Sequence, residues 1–315
     1  MKRVLVTGAS GFIGRHTLAA LACLGYEVHA VARRESDAPD GVVWHRADLH
    51  DTAAIPALLD AVAPTHLLHL AWYVEPGEFW TSPENSRWLK TSHSLAEAFA
   101  AKAGRRAVFA GTCAEYDWTS LAATNGFCSE ARTPLAPATI YGSAKHALYG
   151  LCEALARANK MSFAWGRIFF LYGPNEHVAR LVPSVARALH EGRPSQLTHG
   201  HQQRDFLHVR DAASAFVSLL DSPVEGAVNI GSGIPVRIDE VASILACHVG
   251  RSDLITSSAH EPSTNGPPVL VADVRRLTDE VGWKPKIATR EGLRSTMDWW
   301  RAKIESEKRA HEDHH

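Results

Sequence analysis

The chain has 315 residues, 45% of them hydrophobic and 21% charged, and its 33 Lys and Arg against 34 Asp and Glu leave a formal net charge of -1. That length supports one large domain or two joined ones around a full apolar core, which excludes a disulfide-stapled miniprotein and a disordered chain, and the balanced charge argues against nucleic acid as a partner. Five cysteines (Cys23, Cys113, Cys128, Cys152 and Cys247) are odd in number and never stand in C-x-x-C spacing, so they read as reduced thiols. Met1-Lys2-Arg3 passes at once into a strand, and no stretch of about 18 apolar residues follows. A soluble, cytoplasmic protein with no membrane partner is expected.

In chain order, Arg3–Thr7 reads as a strand, Gly14–Leu24 as a helix, Glu27–Ala32 as a strand and Thr52–Ala63 as a helix. Thr65–Leu70 follows as a strand, Asn85–Ala103 as a helix and Arg106–Gly111 as a strand. Such alternation builds an α/β fold, a doubly wound parallel sheet of Rossmann type with helices on both faces. Several of these strands are apolar on both sides, as buried parallel strands are. A long helix over Tyr141–Asn159 and a strand over Ser162–Phe170 continue the rhythm. After Tyr172-Gly173-Pro174 it becomes irregular: a helix over Leu181–Glu191, a strand over Phe206–Val209, a helix started by Asp211, and Val228–Ile230 returning as a last sheet strand. The Pro-rich Glu261–Pro268 reads as a loop, and the charged tail Lys303–His315 as a fraying end.

The strongest local signal is the G-x-x-G-x-x-G turn Gly8-Ala9-Ser10-Gly11-Phe12-Ile13-Gly14 between the first strand and the first helix. Its glycines let backbone N–H groups approach a pyrophosphate while the helix N-terminus supplies positive dipole, so Gly8, Ser10, Gly11, Phe12, Ile13 and Gly14 are expected to cradle a dinucleotide. Eighteen residues after Gly14, where an NAD site places a carboxylate on the ribose, stands Ala32, followed by Arg33 and Arg34. Guanidinium groups suit a 2′-phosphate, so NADP(H) is favoured, with NAD(H) as the alternative should Glu35 or Asp37 bend back to the ribose. Asp48-Leu49, after a third strand, is placed at the adenine edge.

Tyr141-Gly142-Ser143-Ala144-Lys145 sets a phenol and an ammonium four residues apart, on one face of a helix. An ammonium beside a phenol stabilises phenolate and brings a group of ordinary pKa about 10 toward the working range, making it a proton donor or acceptor for a carbonyl and alcohol pair. Thr112 closes the strand Val108-Phe109-Ala110-Gly111, at the edge where open α/β sheets present ligand groups, and its hydroxyl can donate to the same oxygen.

Taken together, these residues resemble the extended short-chain dehydrogenase/reductase family, in its NAD(P)-dependent epimerase/dehydratase branch acting on nucleotide sugars. The matching segments are Thr7 to Gly14, Asp48-Leu49, His69-Leu70-Ala71, Gly111-Thr112-Cys113-Ala114-Glu115-Tyr116, Tyr141 with Lys145, Tyr172-Gly173-Pro174, Arg204-Asp205-Phe206-Leu207-His208-Val209, Asn229 to Gly233, and Gly282-Trp283-Lys284-Pro285. The resemblance implies that Thr112, Tyr141 and Lys145 are catalytic, that Leu70 and Ala71 join the cofactor site with Tyr141 and Lys145, and that a nucleoside-diphosphate sugar binds toward the C-terminal region. The change of rhythm near residue 170 divides the chain into a dinucleotide-binding domain of residues 1–170 with about 206–230, and a smaller discontinuous α+β substrate domain of 171–205 and 231–315. Arg204 falls where the family reaches the substrate diphosphate, Arg180 where relatives aim a Lys or His at the sugar, and Cys113 beside the catalytic threonine. Cys113-Ala114 replaces the Asp-Glu of the dehydratases, which disfavours water elimination. Phe170 and Trp88 replace asparagines common in the branch, and the arginine that often precedes Asp273 is absent. The implied activity is an NADPH-dependent reductase of a nucleotide-activated 4-keto-6-deoxyhexose, with hydride to C4 and Tyr141 as proton donor. A nucleotide-sugar 4-epimerase is the alternative, and a catalytically idle NADP-binding scaffold stands third.

The remaining features read more plainly. His199-Gly200-His201 and the terminal His311, His314 and His315 lack the carboxylate or cysteine company of a zinc site, so no metal is expected. Trp72-Tyr73 and Phe79-Trp80 either wall the nicotinamide or sugar or pack a long loop. Trp299-Trp300 closes a C-terminal core, and apolar residues on the Asn85–Ala103 and Tyr141–Asn159 helices offer a homodimer face of the kind the resemblance implies.

Overall fold

A computed structural model describes residues 2–33, 40–197, 200–257 and 266–312. Strand β1 (Arg3–Thr7), helix α1 (Gly14–Cys23), strands β2 (Glu27–Ala32) and β3 (Val42–Arg46), helix α2 (Ile55–Val62), strand β4 (His66–His69), helix α3 (Glu84–Ala101) and strand β5 (Arg106–Thr112) come first. Strand β6 (Phe127–Cys128), helix α4 (Ile140–Asn159), strands β7 (Ser162–Ile168) and β8 (Phe170–Tyr172), helix α5 (Leu181–His190), strands β9 (Ser195–Leu197) and β10 (Gln203–His208) and helix α6 (Val209–Asp221) follow. The chain ends through β11 (Gly226–Ile230), β12 (Pro235–Arg237), α7 (Ile238–His248), β13 (Ile255–Ser257), β14 (Val269–Ala272) and α8 (Thr289–Glu312).

Seven strands form one parallel sheet in the order β11-β7-β5-β4-β1-β2-β3. The chain winds outward both ways from β1 and β4, so the carboxyl ends of those two strands border the crevice where such sheets take ligands. Apolar residues line both faces. Leu18, Leu21, Phe216 and Leu220 of α1 and α6 pack on one side, and Leu59, Leu95, Phe99 and Leu148 of α2, α3 and α4 on the other. That two-sided burial is why β1, β4 and β5 carry almost no polar side chain inside the sheet. Among the few that are buried, with Thr7, Arg106 and Thr112, is His69, whose Nδ1 meets the Thr7 hydroxyl at 2.7 Å and whose Nε2 meets that of Ser92 at 2.8 Å. Burial holds this imidazole down to about 3, so it is neutral and ties β1, β4 and α3 together beneath the crevice.

A second sheet, β12-β10-β14-β6 with β8 also paired to β10, lies over a separate core of α5, α7 and α8 built from Val182, Leu189, Leu245, Leu293, Met297 and Trp300. Two expectations are corrected here. The apolar run Ser162–Phe170 is not one strand: Phe169 donates to the Ile230 carbonyl at the end of the main sheet, and from Phe170 the chain leaves it to pair with Phe206–His208. Nor does Asp211 start α6, which begins at Val209 with His208 Nδ1 accepting the Arg210 N–H at 3.2 Å. The Asp211 carboxylate instead accepts the N–H groups of Lys286 and Ile287 at 3.0 and 2.9 Å, anchoring the segment ahead of α8. Among the described residues no helix is long and apolar enough to cross a membrane.

Candidate active site

The glycine turn stands between β1 and α1, and its geometry leaves no room for a side chain at Gly8 or Gly14. Gly8 has φ +67°, and a Cβ there would lie 2.7 Å from the Ala71 nitrogen, because the turn packs directly on the chain leaving β4. Gly11 donates to the Gly8 carbonyl at 2.9 Å, while Arg15 reaches back to the carbonyls of Ser10 and Gly11. With its carbonyls engaged on one side, the turn offers backbone and the α1 N-terminus to the crevice, the cradle a dinucleotide pyrophosphate requires. Gly8→Ala is therefore expected to abolish cofactor binding, measured by fluorescence titration with the reduced dinucleotide. Retained affinity within about twofold of wild type would show that the crevice does not depend on this contact.

Leu70 and Ala71 border the same crevice, and Leu49 is buried beside the exposed Asp48, which caps the His50 N–H at 3.0 Å. Arg33, exposed at the end of β2, reaches His50 with its charge. Arg34 lies outside the described residues, as do Glu35 and Asp37.

Thr112 and Tyr141 come together because α4 approaches the turn after β5 at close range. The Thr139 hydroxyl caps α4 by accepting the Gly142 N–H at 3.0 Å, and a Cβ on Gly142 would stand only 2.3 Å from the Ala114 carbonyl oxygen. The Thr112 hydroxyl faces the Tyr141 phenol closely enough to favour its ionised form. Burial pushes the phenol well above its usual range, opposed by the neighbouring Thr112 hydroxyl and by the Arg180 guanidinium. One turn along α4, Lys145 donates from Nζ to the Ala110 carbonyl at 2.8 Å and lies 3.8 Å from the centre of the Trp72 ring. Its ammonium is fully enclosed, and burial lowers it to about 7 against the opposing charge of Glu115. Gly142 is a residue the spacing argument passes over. Gly142→Ala is expected to lower turnover at least tenfold at unchanged cofactor affinity, because α4 must move away from Ala114. Wild-type turnover in this variant would dissociate the helix approach from activity.

The aromatic residues gather round Tyr141. Trp72, Phe79 and Trp80 surround the Tyr141 ring at centroid distances of 6.5, 4.9 and 5.8 Å. Arg180, at the start of α5, stacks 5.1 Å from the Phe79 ring and reaches the Val74 carbonyl at 3.5 Å, so it closes the same chamber. Cys113 is buried with Tyr116, Leu121 and Cys128, and its thiol is pushed up to about 12 by burial, which makes it a packed thiol with no thiolate at neutral pH. Arg204 is held by the carbonyls of Gln203 and Pro267 and the side chain of Gln202, with its guanidinium 5.5 Å from the Phe170 ring. Trp88 stacks on Trp72 and meets His50 edge-on.

The sequence profile of the NAD dependent epimerase/dehydratase family matches residues 4–231, most of the chain. The chain belongs to this family. Among relatives of this epimerase/dehydratase member, UDP-glucuronic acid decarboxylase 1 of Xenopus tropicalis is 24% identical over 96% of this chain and 73% of its own. GDP-L-fucose synthase 1 of Arabidopsis thaliana is 34% identical over 51% of this chain and 52% of its own. Among solved structures, MoeE5 in complex with UDP-glucuronic acid and NAD superimposes with a TM-score of 0.81 at 29% identity, covering 96% of this chain and 99% of that one. The parallel Rossmann-like sheet and the epimerase/dehydratase family anticipated from the motifs are both found.

Proposed function

We propose that the protein is an NADPH-dependent reductase of a nucleoside-diphosphate 4-keto-6-deoxyhexose. The observation that carries the reading is the close approach of α4 to the end of β5, which sets Tyr141 beside Thr112 and holds Lys145, one turn on, against the Ala110 carbonyl. When bound, NAD(P)H supplies a hydride. The protein's part is the proton: Tyr141 donates it to the carbonyl oxygen of the sugar, Thr112 orients that oxygen, and the Lys145 ammonium stabilises the phenolate left behind. Arg180 and the aromatic wall keep water from this oxygen, Arg204 serves the diphosphate, and Cys113 shapes the sugar subsite by packing. The sheet of β1 to β5 with β7 and β11 takes the dinucleotide, and the layer of α5, α7 and α8 takes the sugar nucleotide.

For the coenzyme, Ala32 at the end of β2 removes the carboxylate that would hold the ribose of NAD, and the neighbouring guanidinium of Arg33 favours a 2′-phosphate. Arg33→Ala is expected to raise the KM for NADPH about tenfold and leave that for NADH nearly unchanged. Equal changes for both coenzymes would remove Arg33 from the selection. We also infer a homodimer through α3 and α4, where Leu151 is exposed.

The test is coenzyme oxidation with a panel of nucleoside-diphosphate 4-keto-6-deoxy sugars, followed by the configuration at C4 of the product. NADPH consumed in proportion to product supports the reductase. The similarity to MoeE5, whose structure holds NAD, favours the second reading, a nucleotide-sugar 4-epimerase. That reading predicts no net coenzyme consumption, firmly retained NAD, and interconversion at C4 of fully hydroxylated sugar nucleotides.

A further inference from the structure

We propose that Glu115 is a positioning residue for this site: its buried carboxylate fixes the end of β5 that carries Thr112 and supplies a negative charge toward Lys145. The proposal rests on the oxidoreductase reading above. Glu115 is wholly buried. Its Oε1 accepts the Thr112 N–H and the Trp165 Nε1–H, each at 2.8 Å, and its Oε2 accepts Arg167 Nε at 2.9 Å. The Thr112 hydroxyl in turn accepts the Ala114 N–H at 3.2 Å, closing a reciprocal cap over one turn. With a lone pair committed to Ala114, the Thr112 hydroxyl has its hydrogen left to donate toward Tyr141 or a substrate oxygen. Gly111 permits this approach, since a Cβ there would lie 2.0 Å from Trp165 Nε1 and 2.7 Å from the Glu115 Oε1.

A cap alone does not require a charge. An amide would accept the Thr112 N–H equally well, and a buried ion pair such as Glu115 with Arg167 adds little stability over a neutral pair of the same shape. The carboxylate matters instead for Lys145, the enclosed ammonium whose Nζ stands 6.0 Å from the Trp165 ring that Glu115 holds. The groups around Lys145 are Tyr141 on its own helix, Trp72, the neutral His69 of β4, Glu115, and Trp165 of β7. Of these, Glu115 is the one whose charge favours the ammonium over the amine.

The experiment is an NMR titration of lysine Cε signals in the full chain, with and without NADP+, the Lys145 signal being assigned by Lys145→Met. In Glu115→Gln the Lys145 midpoint is expected to fall by about one pH unit, and the alkaline limb of kcat/KM to move to lower pH with it. Glu115→Asp keeps the charge but shortens the reach, so the midpoint should stay in place while kcat falls about tenfold. If Glu115→Gln does not fold, Glu115→Gln with Arg167→Met removes the pair without leaving a lone charge, and the midpoint should again fall. An unmoved midpoint when the carboxylate is replaced by the amide, or a loss of activity in Glu115→Gln by one factor at every pH, overturns the proposal. Absence of turnover with every sugar nucleotide would instead count against the oxidoreductase reading, because the lysine titration remains readable without it.

Discussion

Replacing Tyr141 with phenylalanine is expected to lower turnover by roughly 10²–10⁴-fold while leaving cofactor affinity and the folded state intact. The ring is enclosed by Trp72, Phe79 and Trp80, and these edge-on contacts involve the aromatic face and rim, which phenylalanine reproduces. What the variant loses is the hydroxyl beside Thr112, the group proposed to carry the proton. The measurement is coenzyme oxidation under saturating substrate, with dinucleotide titration and thermal unfolding as controls. Turnover within about threefold of wild type would remove Tyr141 from the chemistry and favour the idle scaffold among the readings.

The largest effect on stability is expected at Arg167. Its guanidinium is 1% exposed, pairs with Glu115 and touches the Tyr116 hydroxyl at 3.3 Å, which itself donates to Asn229 at 2.7 Å. Arg167→Met strands the Glu115 carboxylate in the core, at a cost of about 3–5 kcal/mol in chemical denaturation. Adding Glu115→Gln should recover at least half of that loss, because the second change removes the uncompensated charge. Strictly additive losses would show that the two side chains are not coupled.

Much of this architecture is readable from local pattern. Glu27–Ala32 and Arg3–Thr7 appear as strands with the bounds found, because strands buried on both faces leave continuous apolar runs between a glycine turn and a polar loop. The four-residue interval from Tyr141 to Lys145 survives as geometry because a helix fixes it. Features that depend on distant partners are not legible in this way. The break at Phe169 is set by Ile230 and by β10, some 35 to 60 residues further on, so the run Ser162–Phe170 carries no mark of it. Glu115 stands in a recognised motif, yet its significance lies in Trp165 and Arg167, about 50 residues away. The approach of Gly142 to Ala114 is likewise invisible to spacing, though a glycine inside the first turn of a helix is a signal that something comes close.

The wall of Trp72 and Trp80 beside Tyr141 also gives the enzyme an optical readout of its own. Indole emission from these two side chains overlaps the absorption of a reduced nicotinamide, so occupancy of the chamber should dim them and light the coenzyme instead. Ligand arrival, and its departure after each cycle, can then be followed in real time without any attached dye.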